Sequence, residues 1–123
     1  MNDSCFDLYS KCAVCIPSLG RPCLLELVQH LNLVSKAHLH FCITLPQRSD
    51  TTILRKLSVF SNLTLSFVPH KHQVVQRQAA VSSSDRDFII LLDDDVFLSK
   101  VALDRLLDVF IRLPANSIAV SYT

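Results

Sequence analysis

Glycine is almost missing from this chain: Gly20 is the single one in 123 residues. A G-x-G-x-x-G dinucleotide fingerprint and a G-x-x-x-x-G-K-S/T phosphate loop each need several glycines to bring backbone close to phosphate, so both are excluded. Long apolar runs are lacking too. The longest, such as Phe88-Ile89-Ile90-Leu91-Leu92, hold five residues, whereas a membrane-spanning helix needs about 20. Excess charge is absent: twelve Lys and Arg stand against eleven Asp and Glu, a net charge of +1, without the basic footprint of a nucleic-acid binder. The opening MNDSCFDLYSK has two aspartates before its first lysine and no apolar segment, unlike a secretory signal. The five cysteines (Cys5, Cys12, Cys15, Cys23, Cys42) are therefore expected to be reduced thiols of a cytoplasmic protein. By the same token the Asn62-Leu63-Thr64 glycosylation pattern carries no weight. No G-x-S-x-G elbow occurs, which removes a Ser-His-Asp hydrolase of that type.

What remains is apolar and ordered. Half of the residues are hydrophobic, 19% are charged and the mean hydropathy is +0.34, enough apolar surface to offset the entropy of ordering. The length matches one domain, residues 1–123. Lys11 to Ile16 reads as a buried strand stopped by Pro17. Pro22 suits the first position of a helix, and Leu24, Leu27, Val28, Leu31 and Val34 follow at helical spacing to about Lys36. Leu39, Phe41, Ile43 and Leu45 alternate with His38, His40, Cys42 and Thr44 as a second strand ended by Pro46, so the two histidines are expected to face the surface or to be satisfied by a partner. Ser49 or Asp50 can cap a short helix with Ile53, Leu54, Leu57 and Phe60 on its inner side. Leu63 to Val68 alternates as a third strand, and Gln73–Ser83 reads as a helix with Val74, Val75, Ala79 and Ala80 inward. Phe88–Leu92 does not alternate, which predicts a central parallel strand covered on both faces. Ser99 caps a helix carrying Leu103, Leu106, Leu107 and Phe110, and Ile118 to Tyr122 begins a last strand.

This β-α-β-α-β-α-β-α-β order predicts an α/β domain with a mostly parallel sheet and flanking helices. Ligands of such sheets bind beyond the carboxyl ends of the strands. The Pro17–Arg21 turn, the Pro46–Asp50 and Pro69–His72 loops and Asp93-Asp94-Asp95 should all face that edge.

Ten of the eleven acids are aspartate, and these three are consecutive at the end of the most apolar strand. Two carboxylates 4 Å apart repel by roughly 1 kcal/mol in water and several times more when partly buried. A solvated turn could carry them. On a ligand edge, a hard divalent cation that shares carboxylate and phosphate oxygens is the better match. A Walker B strand needs the glycine-rich loop that is missing. A haloacid-dehalogenase D-x-D-x-T/V motif would have Phe97 in its Thr/Val slot, on a strand that usually opens the domain. The D-x-D of nucleotide-sugar transferases fits best.

Three segments in order carry a resemblance. Cys15-Ile16-Pro17-Ser18-Leu19-Gly20-Arg21 is similar to an opening strand and I-P-T-x-N-R turn, with Gly20 where Asn is common. Gln76-Arg77-Gln78-Ala79-Ala80 resembles a helix with an arginine before small residues, and Phe88 to Val96 a strand leading into D-x-D. The chain thus resembles the N-terminal, donor-binding half of a family 2-like glycosyltransferase of the GT-A fold, from about Lys11 to Thr123. The resemblance implies Pro17, Ser18 and Arg21 near the base and diphosphate, with Arg77 and Asp94 on the nucleotide-sugar wall. Asp93 would face the ribose and join Asp95 in holding Mn²⁺ or Mg²⁺ on the two phosphates. The family's second strand commonly ends in D-D-G-S, whose aspartate reads the base. This chain departs from it with Thr44-Leu45-Pro46-Gln47-Arg48-Ser49-Asp50, where Asp50 or Gln47 is the expected substitute, and the resemblance implies a UDP- or GDP-linked donor. The acceptor side and its base are expected from a partner chain or a missing C-terminal half. Two other classes stay open: a metal-dependent phosphatase of the haloacid-dehalogenase type, and a non-catalytic nucleotide-binding fragment.

Cys12-Ala13-Val14-Cys15 has C-x-x-C spacing inside a buried strand, where core thiols rather than a redox pair are expected. His70-Lys71-His72 reads as a solvated polar loop whose edge position also suits phosphate or metal contact.

Overall fold

The computed structural model describes residues 8–69, 73–82, 84, 86–112 and 118–120. Its elements run β1 (Cys12–Pro17), α1 (Pro22–Val34), β2 (His40–Pro46), α2 (Thr51–Leu57), β3 (Leu63–Val68), α3 (Gln73–Ser82), β4 (Phe88–Leu91), α4 (Lys100–Ile111) and β5 (Ile118–Val120). The strands form one sheet in the order β3-β2-β1-β4-β5. Every pairing is parallel, with Cys15 beside Cys42 on one side and Leu91 on the other. The α/β architecture expected from the alternation of apolar runs is therefore present.

The run Phe88–Leu92 supplies an interior parallel strand, β4, paired with β1 and β5 as expected, but the middle strand of the five and the more completely buried one is β1. All six residues of β1 are buried, because paired strands flank it and helices cover both of its faces. In β4, Phe88 and Ile90 are buried while Ile89 and Leu91 are only partly so. Apolar character without alternation was the same in both runs; the completeness of burial was not.

The two faces differ in the size of their side chains. On one, Val14, Ile16, Phe41, Ile43, Leu45 and Ile90 pack against Leu24, Leu27, Val28 and Leu31 of α1, Ile53 and Leu57 of α2, and Leu103 and Leu107 of α4. On the other, Ala13, Cys15 and Cys42 meet Ala80 of α3, with Val81, Ile89 and Leu91 around them. Small residues let α3 lie close to the sheet. Cys42 and Thr44, which alternate with the large residues of β2, are buried on this face. His38 is exposed, and the half-buried His40 places Nε2 2.8 Å from Thr64 Oγ1.

Cys12 and Cys15 point to opposite faces of β1, so the C-x-x-C spacing brings no two thiols together. Cys12 Sγ donates to Leu8 O at 3.1 Å and Cys15 Sγ to Ala80 O at 3.5 Å. Burial pushes the Cys12 thiol up to about 12. The Cys15 thiol is also pushed up, first by its hydrogen bond with Cys42 and then by burial. These are core thiols; none of the described cysteines is in a disulfide.

Local signals start and stop the helices. Pro22 opens α1. Asp50 caps α2 by accepting from Thr52 N at 2.8 Å, and Ser99 caps α4 by accepting from Ala102 N at 3.1 Å. Helix α1 ends at Val34, the last residue of its apolar spacing. There Ala37 N donates to Asn32 O at 2.9 Å and Lys36 N to Leu33 O at 3.2 Å, the paired bonds of a Schellman turn. Lys36 occupies its left-handed position with φ 50°, where glycine is the usual residue. Lys36→Gly should raise stability by about 0.5–1 kcal/mol in urea unfolding, since it removes the Cβ strain of that conformation.

Tyr9 OH donates to Asp104 Oδ1 at 2.7 Å, and Lys100 Nζ meets Asp104 Oδ2 at 2.8 Å. Burial raises the Asp104 carboxyl, but the bonds from Lys100 and Tyr9 outweigh it and hold the group below its ordinary 3.8. A carboxyl lowered by folding stabilises the native state above its ordinary value, and the gain is lost as pH falls through the folded value. Wild type should therefore lose more stability than Asp104→Asn between pH 5 and pH 2.5, read as urea midpoints at each pH; parallel curves would contradict this.

Candidate functional site at the carboxyl ends of β1 and β4

The strand order reverses between β1 and β4: the chain proceeds outward to β2 and β3 on one side and to β5 on the other. Open parallel sheets bind ligands beyond the carboxyl ends of the strands at such a point. Two turns meet there, Ser18–Arg21 after β1 and Asp93–Asp95 after β4.

The first turn is built from the backbone. Pro17 ends β1 fully buried beside Thr44, and Ser18 N donates to Thr44 O at 2.9 Å. Gly20 has φ +80°; a Cβ there would meet Leu45 and Ser49 at an ordinary 3.9 Å, so backbone conformation and not crowding requires glycine. Arg21 sits before Pro22 in extended conformation and makes no side-chain cap to α1, so its guanidinium can reach across to β4.

The second turn continues β4, with Leu92 N donating to Cys15 O at 3.1 Å and Val96 N to Asp93 O at 3.2 Å. Buried Val96 and Leu98 anchor the segment that follows. Its three carboxylates have three environments. Asp93 is half-buried, Asp94 is 3% exposed and the Asp95 side chain is 62% exposed. Asp94 Oδ2 accepts from Ser18 Oγ at 2.7 Å and from Arg21 Nε at 3.3 Å, and Asp94 Oδ1 pairs with Arg21 Nη2. The same Nη2 lies 3.9 Å from Asp95 Oδ2. Hydrogen bonding to Asp94 and its charge raise the Arg21 guanidinium further above its ordinary value. The repulsion expected within the aspartate triplet is thus relieved from inside the protein, by an arginine 73 residues away.

Below the turns, the buried Gln76 of α3 donates through Nε2 to Ser18 O at 2.8 Å and to Thr44 O at 3.0 Å, clamping the ends of β1 and β2. Beside them, a cavity of about 160 Å³ opens between α1 and the loop after β4, lined by Cys23, Glu26, Leu27, Asp94, Asp95, Val96 and Phe97. Burial pushes the Cys23 thiol up. Phe97 is exposed but stacks on His30 with ring centroids 4.3 Å apart, and His30 Nε2 lies 3.1 Å from Leu98 O.

Of the residues expected at the site, Pro17, Ser18, Arg21, Asp93, Asp94 and Asp95 come together. Asp50 lies on the loop after β2, with its carboxylate on Thr52 N. Arg77 follows Gln76 on α3, but its side chain, like His70, Lys71 and His72, lies outside the described residues. Ser18 is buried and its hydroxyl proton goes to Asp94. Among the described residues, no three His, Cys, Asp or Glu side chains are arranged to hold a metal ion. Asp93 and Asp95 flank Asp94 in the chain, on either side of the residue that pairs with Arg21.

Sequence reasoning missed the Gln76 clamp and the Arg21–Asp94 pair. The clamp had a signal: Gln76 is a polar residue four positions before Ala80 on the inner stripe of α3. The pair had none, because nothing local links the two turns. No protein-family model matches the sequence, and no curated protein and no solved structure matches it.

Gln76→Leu should destabilise the protein by about 1–3 kcal/mol, because it leaves the carbonyls of Ser18 and Thr44 without this donor. Urea unfolding measures it, and a loss below 0.5 kcal/mol would show the clamp to be dispensable.

Proposed function

We propose that this chain binds the nucleotide-diphospho-sugar donor of a glycosyltransferase, with the GT-A type of architecture. One observation carries the reading: a proline-serine turn with an arginine and a D-x-D turn stand side by side where the strand order reverses, and Arg21 and Asp94 join them. In this reading Arg21 meets the diphosphate and Pro17 and Ser18 shape the wall beneath it. Asp93 and Asp95 hold Mn²⁺ or Mg²⁺ on the two phosphates, with Asp93 also toward the ribose. Asp50 or Gln47, on the exposed loop after β2, lies toward the base of a UDP- or GDP-linked donor. Gly20 supports the comparison with the I-P-T-x-N-R turn, because glycine and asparagine are the two residues that best tolerate its positive φ. When bound, the cation would neutralise charge on the departing nucleoside diphosphate.

The reading stops at donor binding: the acceptor hydroxyl and the base that activates it are assigned to no residue of this chain. A donor-binding part without catalysis of its own is the second reading. The phosphatase alternative has less support. Its nucleophile strand usually opens the domain, and β1 ends at Pro17 and is followed by Ser18, without a carboxylate.

Isothermal titration of the full chain with UDP and GDP, each with and without Mn²⁺, tests the proposal. One nucleotide should bind at least tenfold more tightly with Mn²⁺, a gain of about 1.4 kcal/mol, and Asp95→Ala should abolish the difference. No metal-dependent binding, or binding undiminished in Asp95→Ala, would sink the reading.

A further inference from the structure

Asp94 is the middle carboxylate of three and the buried one. Both of its oxygens are engaged, Oδ2 by Ser18 Oγ and Arg21 Nε and Oδ1 by Arg21 Nη2. Oxygens enclosed in this way are poorly placed to ligate a cation that arrives from solvent. Arg21 shows the complementary picture. Asp94 grips one side of the guanidinium through Nε and Nη2, while the side chain is 52% exposed. The guanidinium is planar, so fixing one side fixes the direction of the remaining N–H groups, and such a fork suits the oxygens of a phosphate. Ser18 completes the arrangement. Its hydroxyl accepts from Gly20 N at 3.0 Å and donates to Asp94 at 2.7 Å, so the same carboxylate also holds the turn that carries Arg21.

We propose that Asp94 is a positioning residue: it aims Arg21 at a diphosphate and takes no part in holding metal, so that the adjacent aspartates divide two tasks between them. The inference depends on the donor-binding reading for the nature of the anion, and the aim of Arg21 stands on the geometry alone. An arginine already held in place loses less rotamer freedom when an anion arrives. Releasing it should weaken binding about three- to tenfold.

The test uses the full chain, with inorganic pyrophosphate and UDP as probes and the Arg21 Nε–H resonance as a readout that needs no ligand. In wild type that proton should exchange slowly with water. Asp94→Asn can still accept from Ser18; it should speed the exchange and weaken pyrophosphate three- to tenfold, both with and without Mn²⁺, leaving the Mn²⁺ enhancement of UDP binding unchanged. Asp95→Asn should do the reverse, removing the enhancement while the Arg21 proton stays protected. Should Asp94→Asn fail to fold, Arg21→Lys serves, since it keeps the charge, loses the fork and should weaken pyrophosphate without altering the Mn²⁺ enhancement.

Loss of the Mn²⁺ enhancement in Asp94→Asn would make Asp94 a ligand and overturn the proposal. So would pyrophosphate affinity within twofold of wild type, or an unprotected Arg21 proton in wild type. Pyrophosphate binding without UDP binding would refute the donor reading and leave this inference standing; a wild type that binds neither refutes both.

Discussion

A carboxylate at 3% exposure is stable as an anion only beside a partner that replaces its water, and Asp94 is in that position. Its partners, Ser18 and Arg21, come from the turn after the central strand, at the other side of the strand reversal. The pair therefore does more than neutralise one charge. It ties the turn after β1 to the turn after β4, sets the opening of α1, and relieves the repulsion within the aspartate triplet while leaving Asp95 in solvent. The candidate site exists as a site because these two turns are held side by side.

The sheet prepares that contact from below. Ala13, Cys15, Cys42 and Ala80 are small enough for α3 to lie close to β1 and β2, and this closeness brings the Gln76 amide within reach of both the Ser18 and Thr44 carbonyls. The larger residues of the opposite face seat α1, whose first turn follows Arg21 directly. Packing on the two faces thus meets at a single turn of five residues, from Pro17 to Arg21. That turn contains the one glycine of the chain, at the position where φ is +80°. A sequence with so little glycine has its one example where backbone conformation demands it.

Much of the architecture was legible from local signals. Pro22, Asp50 and Ser99 mark helix starts through groups on neighbouring residues, and Pro17, Pro46 and Pro69 lie at or just past strand ends because proline cannot continue a ladder. The alternation of elements predicts a parallel sheet, and the acidic triplet lies at the carboxyl ends of its strands. The rank of the strands was not legible. Cys12–Pro17 and Phe88–Leu92 are both apolar and both have paired strands on either side, and only the tertiary packing decides that the first is buried throughout while Ile89 and Leu91 of the second are partly exposed. The Schellman turn that ends α1 was not announced, because lysine holds the left-handed position where glycine is usual.

Residue type and order determine by themselves that this chain forms alternating strands and helices and that three carboxylates follow an apolar strand, because both facts depend on neighbours within a few positions. Which carboxylate is tied off and which faces solvent depends on a guanidinium 73 residues away in the chain. Hydrogen bonds of about 3 Å between residues so distant form only after the sheet has set β1 beside β4. The three aspartates are chemically identical in the sequence; the tertiary structure makes them different by giving each its own share of water and its own partners.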